Sequence, residues 1–147
     1  MTIDDSGKWW VGSAPDDIRG FLEAYAEEGY EVHQFRLARC DCGSLEFHLE
    51  ADDNEGVACR ACAECGHQHY ICDSERYWED AEVETWKCVE CDSIESNVGV
   101  GFSMYEDDPT AIKWLYVGVR CPKCGVLGCF AGWKIAMGDV LHLLEQV

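Results

Sequence analysis

Eleven cysteines in 147 residues, eight of them in four close pairs, constrain this chain more than any other feature. The pairs fall in two related blocks. From Arg39 to Gly66 the sequence reads RCDCGSLEFHLEADDNEGVACRACAECG, and an altered copy runs from Lys87 to Gly125. In each block a pair is followed two residues on by serine (Cys42-Gly43-Ser44, Cys91-Asp92-Ser93). A hairpin-like segment then ends in a second pair closed by glycine (Cys62-x2-Cys65-Gly66, Cys121-x2-Cys124-Gly125). Two pairs of soft ligands, each on a tight turn and joined by a hairpin, make a tetrahedral thiolate metal site.

Disulfides are the competing use of so many cysteines, but they belong to oxidising compartments. The first residues, MTIDDSGKWW, are acidic and lack the apolar run of a secretory signal. No stretch approaches the roughly 18 apolar residues of a membrane span. The expectation is therefore a reduced, cytoplasmic, metal-bound protein, with zinc as the first candidate and iron as the second.

Within the second block, Cys88, Cys91, Cys121 and Cys124 form a complete ligand set. The first block is less regular. Cys40 and Cys42 are separated by one residue rather than two, and Cys59, Cys62 and Cys65 are each three apart. Aligning the blocks on Cys-x2-Cys-Gly selects Cys62 and Cys65 and leaves Cys59 on the preceding strand, with Cys59 as the alternative ligand. Cys72 and Cys129 read as small buried hydrophobes. His67 and His69 follow the first block closely; they read as a polar strand face, with replacement of a thiolate as the sharper alternative. His33, His48 and His142 stand alone.

Four protein thiolates leave no open position for water or substrate, so each metal reads as structural rather than catalytic. Structural zinc contributes about 10–16 kcal/mol in zinc-finger peptides, against a typical domain stability of roughly 5–15 kcal/mol. Small units like these cannot bury enough apolar surface alone.

The remaining segments supply packing. Ser13-Ala14-Pro15-Asp16-Asp17 reads as a helix start with Ser13 as N-cap. Ile18, Phe21, Leu22 and Tyr25 then lie on one helical face, and Gly29 is the expected stop. Trp9-Trp10 reads as core or staple rather than a ligand platform. Residues 30–39 read as a strand leading to the first cysteines. Leu45, Phe47 and Leu49 alternate with Glu46, His48 and Glu50, as in a half-buried strand. Residues 51–56 are a turn, 57–61 return to the second pair, and 67–72 form a third strand. The acidic connector 73–87 has Ser74 as the cap of a short helical turn.

In the second block Val98, Val100, Phe102 and Met104 alternate, and 106–110 is a turn. The return strand 112–119 is apolar on both faces, with Ile112, Trp114 and Tyr116 on one and Leu115, Val117 and Val119 on the other. Both faces then need cover, for which the N-terminal helix and the first block are the simplest candidates. Phe130 and Trp133 fall on a third strand. Residues 138–147, with Val140, Leu141 and Leu144, read as a short docked terminal element.

At Cys88–Cys91 with Cys121–Cys124-Gly125, and more loosely at Cys40–Cys42 with Cys62–Cys65-Gly66, the chain resembles zinc-ribbon proteins with rubredoxin-like knuckles. The resemblance covers residues 39–72 and 86–133. It implies a ribbon fold and a metal site for each block; with the helix read from the N-terminal pattern, the expected fold is α+β, mostly β, two three-stranded zinc ribbons packed together with an N-terminal helix. The corresponding divisions are 1–38 for the helix and lead-in strand, 39–72 for the first ribbon, 73–86 for the acidic connector and 87–147 for the second ribbon with its docked tail. It departs from rubredoxins at Asp92, which stands where glycine is usual, and in the regular hairpin between its pairs.

Charge narrows the function. The net charge is −18, and residues 1–95 hold 24 of the 29 acidic side chains. Phosphate contacts require clustered Lys and Arg, so scattered cations argue against non-specific nucleic-acid binding. The expectation is a non-catalytic, zinc-stabilised acidic protein that binds a protein partner, a basic one by charge, in a regulatory, adaptor or immunity-type role. The alternatives are an iron-containing, rubredoxin-like electron carrier and an enzyme with a reactive Cys/His site built from His67, His69, Cys59 or Cys72.

Overall fold

The computed structural model describes residues 3–135 and 140–147. Gly138, the expected start of the terminal element, lies outside them. The described chain is mostly β. Strands β1 (Ile3–Asp4) and β2 (Val11–Gly12) pair with each other ahead of helix α1 (Asp17–Tyr25). Then follow β3 (Gln34–Leu37), β4 (Phe47–Asp52), β5 (Val57–Cys62) and β6 (Gln68–Tyr70). A helical turn α2 (Ser74–Tyr77) and a 3-10 turn (Trp78–Asp80) lead to β7 (Glu84–Thr85). The long strands β8 (Glu95–Tyr105) and β9 (Asp108–Arg120), strand β10 (Leu127–Lys134) and a 3-10 turn (Leu141–Glu145) complete the chain.

The main sheet runs β10-β9-β8-β4-β5-β6 and is antiparallel at every pairing. Strand β8 joins its two parts. Along one edge it pairs with β9, and along the other it takes β4 at Ser96 and Glu95 and β3 from Gly99 to Phe102. The sheet curls, so that the turn after β4 meets β10, where the Gly132 amide donates to the Asp53 carboxylate at 2.9 Å. Phe47, Leu49, Val98, Val100, Phe102, Leu115 and Val117 fill the inside of the curl. Leu143, Leu144 and Val147 join the same cluster, while Leu141 is exposed.

Helix α1 lies on the opposite face of β8 and β9, burying Ile18 and Leu22. It sits there because Gly99 and Gly118, paired across the strands, present no side chain. A Cβ on Gly118 would lie 2.6 Å from Ile18 Cγ2. The helix begins later than Ser13. The Asp17 carboxylate accepts the Ser13 and Ala14 amides at 2.9 and 3.1 Å, which holds those residues in a turn ahead of the first helical residue.

Several boundaries depart from the sequence pattern, each for a local reason. β3 is four residues long, and beyond it the His33 amide donates to Phe102 and the Ala38 amide to Val98. Ser74 does not cap its helical turn; its hydroxyl donates to the Ile71 carbonyl and accepts the Ala58 amide. In β9 the register slips between Trp114 and Ile112, leaving Lys113 as the extra residue of a bulge. Ile112 therefore joins Leu115, Val117 and Val119 inside the curl, and not Trp114 and Tyr116 under the helix. A second bulge, at Phe130, lets that ring escape the β9–β10 ladder.

Candidate metal centres

Each cysteine pair sits on a turn built by backbone hydrogen bonds. In the second block the Cys88 amide donates to the Ser93 carbonyl and the Asp92 amide to the Cys88 carbonyl. The Cys121 amide donates to Val126 and the Gly125 amide to Cys121. The same ladder recurs at Cys62, with His67 and Gly66 as partners. At Cys40 every step is one residue shorter: the Cys40 amide reaches Ser44, and Gly43 reaches back to Cys40. The one-residue spacing of Cys40 and Cys42 is thus absorbed inside the turn. Ser44 and Ser93 then make matching contacts, each accepting an amide and donating to the carbonyl of the same residue two positions on.

Each turn leaves through the left-handed region: Gly43, Gly66 and Gly125 have φ of 95, 77 and 81°, and Asp92 has 64°. Asp is among the few side chains that enter this region readily. This explains how the fourth turn forms without glycine.

These turns bring the eight cysteines into two clusters, Cys40/Cys42/Cys62/Cys65 and Cys88/Cys91/Cys121/Cys124. The closest sulfur pairs are Cys40–Cys65 at 3.4 Å and Cys42–Cys62 at 3.5 Å in the first, and Cys88–Cys124 at 3.4 Å and Cys91–Cys121 at 3.5 Å in the second. All four sulfurs of a cluster lie within 4.8 Å of one another. A tetrahedron with metal–sulfur bonds of about 2.3 Å has edges of roughly 3.8 Å, so a four-thiolate ion fits each cluster. Backbone amides favour the thiolate form of one sulfur in each cluster, while neighbouring sulfurs and burial push Cys42, Cys65, Cys91 and Cys124 up. The amide of Cys65, followed by that of Glu64, draws the Cys62 thiol down to about 6. At Cys121 burial opposes ionisation, but the amides of Cys124 and Lys123 prevail and bring it to about 7.

The other cysteines lie elsewhere. Cys59 is buried mid-strand on β5, opposite Glu50 and Tyr70, and burial raises its thiol. Cys72 takes a positive φ and donates its thiol to the Leu143 carbonyl. Cys129 stands beside the β10 bulge, with burial pushing it up to about 12. None of the three belongs to either cluster, and neither does His67 or His69. His67 is exposed, whereas His69 is half-buried on β6 opposite Arg60, which holds its imidazole below the ordinary value through burial. The isolated His33 accepts the Met104 amide at Nδ1.

The sequence pattern gave no weight to Arg60, which proves to be the one buried charge among the described residues. Its guanidinium lies 4.6 Å from the Phe47 ring centroid, and its Nε donates to the Val147 carbonyl at 2.8 Å. Nη1 has no hydrogen-bond partner. Burial lowers its basicity, while the nearby sulfurs of Cys40, Cys59 and Cys62 act in the opposite sense. A buried cation near Cys40 and Cys62 favours the ionised form of those sulfurs. Its signal in the sequence was a lone charged residue inside the run Val57-Ala-Cys-Arg-Ala-Cys62.

A second missed arrangement ties the blocks together. Arg120 donates to Gly12 through Nε and to Asn97 through Nη1, and Asn97 donates onward to the Leu45 carbonyl at 2.8 Å. Comparison of the chain with protein-family models, curated proteins and solved structures gives no match.

Proposed function

We propose that the chain is a non-catalytic protein whose fold is held by two zinc ions, one bound by Cys40, Cys42, Cys62 and Cys65 and the other by Cys88, Cys91, Cys121 and Cys124. In this reading the segments 39–72 and 87–147 are two packed zinc ribbons, joined by the acidic connector 73–86 to each other and preceded by the helix and lead-in strand of 1–38. The observation that carries it is the closure of both clusters by four cysteines, which leaves no ligand position for a substrate. Its role is to present an acidic surface to a basic protein partner, in a regulatory, adaptor or immunity-type function. In support, no Asp or Glu among the described residues is buried, and Tyr25, Tyr30 and Tyr77 are exposed. No described helix is long and apolar enough to cross a membrane.

Elemental analysis of protein purified without added metal tests the centres, with two zinc ions per chain expected. Iron in either cluster, with the colour of an iron–thiolate centre, would replace this reading by electron transfer. Crosslinking in native extract tests the partner. Specific recovery of a basic protein is expected, with the complex weakening as salt rises.

A further inference from the structure

A groove between residues 8–10, α1, the segment 86–89 and the start of β10 has no part in the function proposed above. It encloses about 450 Å³, within the roughly 300–1,000 Å³ of small-molecule sites. Trp10, Phe21, Leu127 and Phe130 contribute to a mainly apolar lining, and Lys8 and Lys87 are its only charged residues among the described residues. No described Asp or Glu lines it, in a chain that has 29. Three other cavities are each lined by at least one carboxylate. Neither lysine is tightly engaged: Lys8 Nζ lies 5.1 Å from the Trp9 ring centroid, and Lys87 makes an exposed contact of 3.7 Å with Asp92. Such exposed pairs are weak and readily exchanged.

We propose that this groove binds an amphipathic organic anion, a flat aromatic or short aliphatic body bearing one carboxylate or sulfonate. The body lies against Trp10 and Phe21, which meet edge to face at 5.8 Å, and the acid group faces Lys8 and Lys87. Charge complementarity selects the anion. The acidic surface elsewhere repels it, so the lysine-rimmed cavity is where it lodges. The turns that carry the second cluster border the groove, because Lys87 and Val89 flank Cys88 and the Val126 carbonyl accepts the Cys121 amide at 2.9 Å.

The test uses the full metal-loaded chain and two fluorescent probes of similar shape, anionic 8-anilinonaphthalene-1-sulfonate and neutral N-phenyl-1-naphthylamine. Saturable binding of one sulfonate probe per chain, displaced by dodecanoate, is expected. Lys8→Glu with Lys87→Glu, both on the surface, should weaken the sulfonate roughly tenfold and leave the neutral probe within about twofold. Val89→Asp, at a site 62% exposed, should weaken the sulfonate in a second background with unchanged metal content. The proposal is overturned by an absence of saturable binding, by equal affinity for both probes, or by charge-reversed protein that binds the sulfonate as well as the parent.

Discussion

At the scale of single residues, type and position carry separate information. The cysteine pairs were recognisable because metal ligation requires thiolates at short spacing, and the turn ladder that holds them is local in sequence. Cys59 shows where spacing stops being enough, since three cysteines three apart offer more than one pair. Its place mid-strand, opposite Glu50 and Tyr70, leads to a direct expectation. Cys59→Ser should retain two metal equivalents, whereas Cys62→Ser should retain one, as read by elemental analysis of each variant. Asp52 supplies a pH test. Its carboxylate accepts the Glu82 amide at 2.9 Å and those of Asn54 and Glu55, and the Glu82 bond above all holds it below the ordinary 3.8. A depressed carboxyl stabilises the fold above the unfolded pKa, and that contribution is lost as pH falls through the folded value. The thermal midpoints of the parent and Asp52→Asn proteins should therefore differ at neutral pH and converge below about pH 4.

At the scale of elements, alternation predicted the strands of both hairpins but not the bulges that reassign their faces. Ile112 was expected with Trp114 and Tyr116, and the extra residue at Lys113 turned it inward. A bulge depends on how two strands pair, which neither strand's own pattern reveals. The seat of α1 is similarly hidden, because it rests on Gly99 and Gly118, which lie opposite each other only once β8 and β9 pair. They are where the helix approaches: a Cβ on Gly99 would lie 3.2 Å from Ile18, and one on Gly118 would meet Leu22 at 2.9 Å. Gly118→Ala should destabilise the protein by about 1–3 kcal/mol through overpacking. Denaturant unfolding should report it as a lower midpoint, with metal content unchanged.

At the scale of the whole molecule, β8 makes the two cysteine blocks one body by pairing with β3, β4 and β9 together. The Arg120–Asn97–Leu45 connection spans the same junction. Removal of metal by a strong chelator should lower the thermal midpoint by roughly 20 °C or more. The loss should appear as one transition by calorimetry, with amide protection in β4–β5 and β8–β9 disappearing together. Two separate transitions would mean that the blocks fold independently. The sequence by itself determined the four turns, the eight sulfurs and the mostly β character, because each depends on contacts within a few residues or on the period of a strand. Only the tertiary structure decided which face Ile112 takes, and that a buried Arg60 stands near Cys40 and Cys62. Those outcomes depend on strand register and on the curl of the sheet, which bring together residues as far apart as Arg60 and Val147.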